Sequence, residues 1–106
     1  MAKASVVTPK EAAKLVASGQ AILVDIRELA ERETCRIEGD IYIPMRELLQ
    51  RIGDLPTSKR IILYCHTGGR SLFAARFLAQ KGVAASSLEG GIDQWAEELE
   101  PGMPRY

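Results

Sequence analysis

The chain has little of what metal centres are made from. Its 106 residues include one histidine, His66, and two cysteines, Cys35 and Cys65, which form neither a CxxC pair nor a cluster with metal-ligand spacing. No zinc site and no cofactor are expected. Nor is there an excess of either charge: Lys plus Arg and Asp plus Glu number 14 each. Without a broad field there is no pull toward nucleic acid or an acidic membrane, so any anion must be captured locally. No apolar run approaches the length of a membrane span, and the start MAKASVVTPKEAAK lacks the apolar core of a signal peptide. These absences lead us to expect a cytoplasmic protein with neither a nucleic-acid nor a membrane partner. Internal repeats and low-complexity tracts are absent as well.

What is present is ordinary for a globular protein, with 46% hydrophobic and 26% charged residues. The length suits one domain, residues 1–106, whose core needs no disulfide. After a short β-prone stretch at Ser5 to Val7, TPKE combines Thr8 as N-cap, Pro9 in the first turn and Glu11 as the other half of a capping box. The helix it opens should end near Ser18 and Gly19. AILVDIR, 21–27, is too compact for a helix and rich in branched residues, as a buried strand is; Asp25 and Arg27 lie where it would leave the sheet. A polar segment with a short helix leads to IYIP, 41–44, a short strand ended by Pro44. MRELLQRIGDLP, 45–56, reads as a helix with Leu48, Leu49 and Ile52 on one side and Gly53 and Pro56 as stop signals. RIILY, 60–64, is the clearest buried strand. A helix from about Ser71 carries Leu72, Ala75, Leu78 and Ala79 at helical spacing until Gly82. VAASSL, 83–88, is a last strand, Gly90 and Gly91 make a turn, and IDQWAEEL is a final helix with Trp95 on its core face beside Ile92 and Leu99. Strand and helix alternate throughout, which predicts an α/β fold with a mostly parallel sheet and helices on both faces. Such sheets bind ligands at the carboxyl ends of their strands.

Cys65 falls at that edge, at the head of CHTGGR. A glycine-rich loop between strand and helix can turn several backbone N–H groups inward, and the helix adds its own unpaired donors and positive end. Gly68 and Gly69 allow the close approach. With Arg70 nearby, these surroundings favour a thiolate over a thiol. The competing reading of a cysteine at a strand end is a small buried hydrophobe; the glycine pair, the arginine and the strand–helix setting favour the reactive thiol.

Four stretches, VDIRE at 24–28, RIEGDIYIP at 36–44, IILYCHTGGRS at 61–71 and SLEGGIDQW at 87–95, resemble the rhodanese-like sulfurtransferases in order and spacing. The resemblance implies a five-stranded parallel sheet between helices. It also implies that Cys65 accepts a sulfane sulfur, from a small-molecule or protein-bound donor such as thiosulfate or a persulfide, and passes it to a thiophilic acceptor such as cyanide or a thiol. The family's loop carries over onto Cys65, His66, Thr67, Gly68, Gly69 and Arg70, with Ser71 next to it in the substrate-binding set. The chain departs from the family at CRIEGD, where GHIPGA is common: Cys35 replaces a glycine and Asp40 a small residue. His66 either assists an incoming anion when protonated or is an idle, solvent-facing loop residue. Asp25 and Arg27 either support the site from the adjacent strand end or form an exposed ion pair worth little.

Three rival functions share the same residues. A cysteine-dependent phosphatase also uses a thiolate and an arginine ahead of a helix, but the four residues between Cys65 and Arg70 make a loop one residue shorter than such enzymes have, too small for a phosphoryl group. A non-catalytic binding or regulatory module is disfavoured by retention of the thiol and both loop glycines. A redox sensor would need Cys35 to resolve an oxidised Cys65.

Overall fold

The computed structural model describes residues 4–106. Met1 to Lys3, the first residues of MAKASVVTPKEAAK, lie outside the described residues. Five strands, β1 (Ser5–Val7), β2 (Ala21–Asp25), β3 (Ile41–Tyr42), β4 (Arg60–Tyr64) and β5 (Ala85–Leu88), form one sheet in the order β1-β5-β4-β2-β3. Every pair is parallel, and Asp25 lies beside both Tyr64 and Tyr42, so β2, β3 and β4 end level with one another. Four helices, α1 (Pro9–Ala17), α2 (Leu29–Thr34), α3 (Gly69–Gln80) and α4 (Gly91–Leu99), follow β1, β2, β4 and β5, while β3 leads to β4 through 3₁₀ turns alone.

Successive strand residues point to opposite faces and divide the core in two. Val24, Leu63 and Cys65 pack with Ala74, Ala75 and Leu78 of α3 and with Leu48 and Leu55. Leu23, Ile62, Tyr64 and Leu88 pack with Ala12 of α1, Ile92 and Trp95 of α4, and Cys35. Trp95 is thus a core residue, as its spacing predicts. The capping box forms as read: Thr8 Oγ1 accepts the Glu11 N–H at 3.2 Å, and Glu11 Oε1 accepts the Thr8 N–H at 2.9 Å. The helix it opens reaches its C-cap at Ser18, with Gly19 at φ 76°.

Residues 45–56 correct the sequence reading. In place of one helix there are two short 3₁₀ turns, Met45–Glu47 and Ile52–Asp54. Their bonds close tightly, Leu48 N–H to Met45 O at 3.2 Å and Leu55 N–H to Ile52 O at 3.1 Å. Pro44 offers no side-chain cap, and the tight turns bury Leu48 and Leu55 in the α3-side core. Packing is served by Leu48 and Leu55, which are buried, while Leu49 stays 46% exposed. α3 also begins earlier than Ser71, at Gly69, for a reason that lies in the loop ahead of it. Among the described residues, no helix is long and apolar enough to cross a membrane.

Candidate active site

β4 ends at Tyr64 and places Cys65 at the carboxyl edge of the sheet, 1% exposed. The chain then turns through Gly68, whose φ of 108° is closed to most side chains; a Cβ there would lie 3.3 Å from the Gly90 backbone nitrogen. This turn aims the Gly68 N–H at Cys65 Sγ, 3.2 Å away, and the Ser71 N–H reaches the same sulfur at 3.4 Å. No side chain caps α3. The sulfur takes that place, accepting a first-turn N–H that an α-helix leaves unpaired. Ser71 Oγ lies 3.4 Å from Sγ, 3.2 Å from Gly68 O and 2.7 Å from Ser87 Oγ. A hydroxyl has one hydrogen to give, so Ser71 can turn it to the sulfur once the thiol has lost its own.

The back of the loop is held by α4. Ile92 N–H donates to Cys65 O at 2.9 Å and Asp93 N–H to His66 O at 3.0 Å, so the first turn of α4 binds the loop's carbonyls while the loop's own N–H groups face the sulfur. Gly91, at φ 61°, permits this contact; a Cβ would run into the carbonyls of Cys65 and His66. Thr67 and Gly69 are the exposed residues of the loop.

Side chains build the rest. Arg70 forks onto Glu31 at 2.8 and 2.9 Å. Glu31 also accepts the Glu28 N–H at 3.0 Å and the Tyr106 hydroxyl at 2.6 Å, which saturates its carboxylate. The Arg70 hydrogen bonds hold the Glu31 pKa at about 2, and the same bonds raise that of Arg70, with the Cys65 charge a lesser contributor. The Tyr106 ring stacks on His66, centroids 3.9 Å apart, and burial followed by the Glu31 bond pushes its hydroxyl up to about 12. At the end of β2, Asp25 and Arg27 are both fully buried and joined twice, at 2.9 and 3.0 Å. Arg27 also donates to Cys35 O at 2.7 Å and Tyr106 Oη at 3.0 Å. Burial pulls its pKa down, but the Asp25 and Tyr106 hydrogen bonds outweigh it and the net shift is upward. Arg32 bridges Asp25 and Asp40 at 3.1 and 2.9 Å, and Tyr64 Oη donates to Asp40 at 2.6 Å.

With this geometry in view, comparison with known proteins is decisive. The family description "Rhodanese-like domain" matches residues 8–98. The chain belongs to the rhodanese-like domain family. It is 33% identical over 92 residues to a protein named "Sulfurtransferase" from Allochromatium vinosum, covering 86% of this chain and 83% of that one. Over 110 residues it is 34% identical to the Mycobacterium tuberculosis protein named "Probable adenylyltransferase/sulfurtransferase MoeZ", covering 99% of this chain but only 28% of MoeZ. Among solved structures, reduced CoADR-RHD of Bacillus anthracis superposes with a TM-score of 0.85 at 33% identity, covering 97% of this chain and 18% of that one.

In this rhodanese-like domain the residues singled out in the sequence do not all sit as read. Cys65, Gly68 and Ser71 meet at the sulfur, and Gly69 begins α3. Arg70 does not bond the sulfur, because Glu31 offers two ionised oxygens and takes the whole guanidinium fork. His66 is half-buried against Tyr106 rather than solvent-facing, with Nε2 lacking a partner among the described residues. The exposed-pair reading of Asp25 and Arg27 fails, since both are buried and fully engaged. Cys35, within the segment read as polar, is buried at the C-cap of α2. It packs with the α1 and α4 cluster, whereas Cys65 packs with the α3 cluster, so the sheet separates the two sulfurs. That removes the support for Cys35 as a resolving thiol. Sequence reasoning missed Glu31, Ser87 and Tyr106. Alternating charge in ELAERE hints at an ion-pairing helix, and nothing local points to Tyr106.

Proposed function

We propose that the protein is a sulfurtransferase in which Cys65 carries the sulfur. The observation that supports this most directly is the pair of backbone N–H groups, from Gly68 and Ser71, converging on Sγ at the start of α3. Such donors serve an anionic sulfur before and after it gains a second atom, and they require no catalytic base. The Cys65 thiolate attacks the outer sulfur of the donor. The donor's bond to that sulfur breaks, and its electron pair leaves on sulfite from thiosulfate or on a thiolate from a persulfide. Cyanide or a thiol then attacks the outer sulfur of the Cys65 persulfide, and the electron pair of that S–S bond returns to Cys65. His66, Thr67, Gly69 and Arg70 form the rim through which donor and acceptor pass, with Asp25 and Arg27 fixing the adjacent strand end.

Intact mass spectrometry tests the reading. Exposure to thiosulfate or glutathione persulfide should add one sulfur atom that cyanide removes, and Cys65→Ser should neither gain it nor turn over. Because the sulfur is parked between two half-reactions, double-reciprocal plots should be parallel. Normal turnover by Cys65→Ser would reject the reading.

A further inference from the structure

Four arginines on the elements around the loop spend their charge on carboxylates: Arg27 on Asp25, Arg32 on Asp25 and Asp40, Arg70 on Glu31, and Arg105 on Asp93. Arg70 is the one belonging to the loop itself, and Glu31 occupies both of its terminal nitrogens. On the other flank of the loop an open cleft of about 280 Å³ is lined by Thr67, Gly68 and Gly69, the apolar Leu72 and Leu88, and Glu89. Glu89 is exposed and, among the described residues, enters no salt bridge. The loop residues next to Cys65 therefore lie between an arginine neutralised by Glu31 and the carboxylate of Glu89.

We propose that Glu31 and Glu89 are specificity-determining residues that turn the Cys65 site away from thiosulfate and toward a persulfide whose carrier bears no further negative charge. This rests on the sulfur-carrier reading above and names its donor class. Val6, half exposed, and the partly buried Leu72 give the cleft an apolar side that suits an aliphatic carrier and that a sulfonate group cannot exploit. With such a donor, written R–S–SH, the Cys65 thiolate bonds to the outer sulfur, the S–S bond breaks, and R–S⁻ leaves with the pair; the proton stays on the transferred sulfur until solvent or R–S⁻ takes it. Atoms and charge balance without any other reactant.

The test measures Cys65 loading by quenched intact mass, with thiosulfate and with N-acetylcysteamine persulfide as alternative donors. Glu31→Gln frees Arg70 and should shift the ratio of loading rates toward thiosulfate by about tenfold, the scale of one added unit charge near a dianion in a partly screened site. Glu31→Asp keeps the charge and should retain the wild-type ratio. Glu89→Gln, an exposed change that does not threaten the fold, should move the ratio the same way by a smaller factor. Added salt should speed thiosulfate loading of wild type by screening repulsion. Unchanged ratios in both glutamine variants, or thiosulfate loading that slows with salt, would overturn the selectivity and leave the carrier role intact. Failure of wild type to take sulfur from either donor would overturn the carrier role and this proposal together.

Discussion

The loop after β4 and the end of β2 are neighbours in the sheet, yet the first receives its charge with backbone and the second with side chains. Around Cys65, two N–H groups and a serine surround the sulfur, and the nearest arginine is engaged elsewhere. Around Asp25, two arginines, a second aspartate and a tyrosine complete a buried network. Backbone donors cannot leave, cannot titrate and leave room above the sulfur, which suits the sulfur carrier proposed for Cys65. A buried ion-pair network has the opposite character. It is costly to desolvate and tolerable only when every partner is present, so it suits a part that must stay fixed. On the proposed function, the chemistry falls to the loop and rigidity to the strand end beside it.

Removing a network partner should have the largest effect on stability. Asp25→Ala leaves the fully buried Arg27 without its counter-charge, and urea unfolding should show a loss of about 3–5 kcal/mol, a large share of the stability of a small domain. A loss of less than about 1 kcal/mol would mean that Arg27 finds other partners or water, and the contrast would collapse.

A change behind the loop should invert the balance. Gly91→Ala forces a side chain into the left-handed region, costing about 1–2 kcal/mol, and pushes it against the Cys65 and His66 carbonyls. The thiol remains, so the sulfur adduct should still form, but loading should slow by up to about 100-fold as the donors move off the sulfur. Thermal melting and adduct kinetics on one preparation would separate the two losses. Wild-type kinetics in this variant would show that α4 does not hold the loop.

The smallest effect is expected from acid. Glu31 has its folded pKa depressed from 4.5 to about 2. Its ion pair therefore contributes stability fully above pH 4.5, and the contribution is lost as pH falls from there toward 2. Glu31→Gln should flatten that part of the acid limb and cost no more than about 1 kcal/mol at neutral pH, since the pair is partly exposed. Chemical unfolding at several pH values measures both, and an unchanged acid limb would show that Arg70 does not hold Glu31 ionised.

How far the sequence could be read depended on the range of the interaction. The Thr8–Pro9–Glu11 cap, the strand read at 21–27 and observed over Ala21–Asp25, the strand at 60–64, and the position of Cys65 at a carboxyl edge were all legible, because neighbours within one turn or one strand decide them. The segment 45–56 was not: its apolar spacing fits a helix, but burial of Leu48 and Leu55 against β4 and α3 selects two tight turns instead.

By itself, then, the sequence determined the order of the strands and of α1 to α4, a glycine-bearing loop with a thiol at its head, and an overall charge balance that leaves anion binding to local groups. Only the tertiary structure decided which charges those groups keep. Arg70 meets Glu31 across 39 positions, Tyr64 meets Asp40 across 24, and Tyr106 reaches Glu31 across 75. No local pattern encodes such partners, because each pairing exists only once parallel crossovers have brought several strand ends and the C-terminal residues to one edge of the sheet, where burial makes every unpaired charge costly.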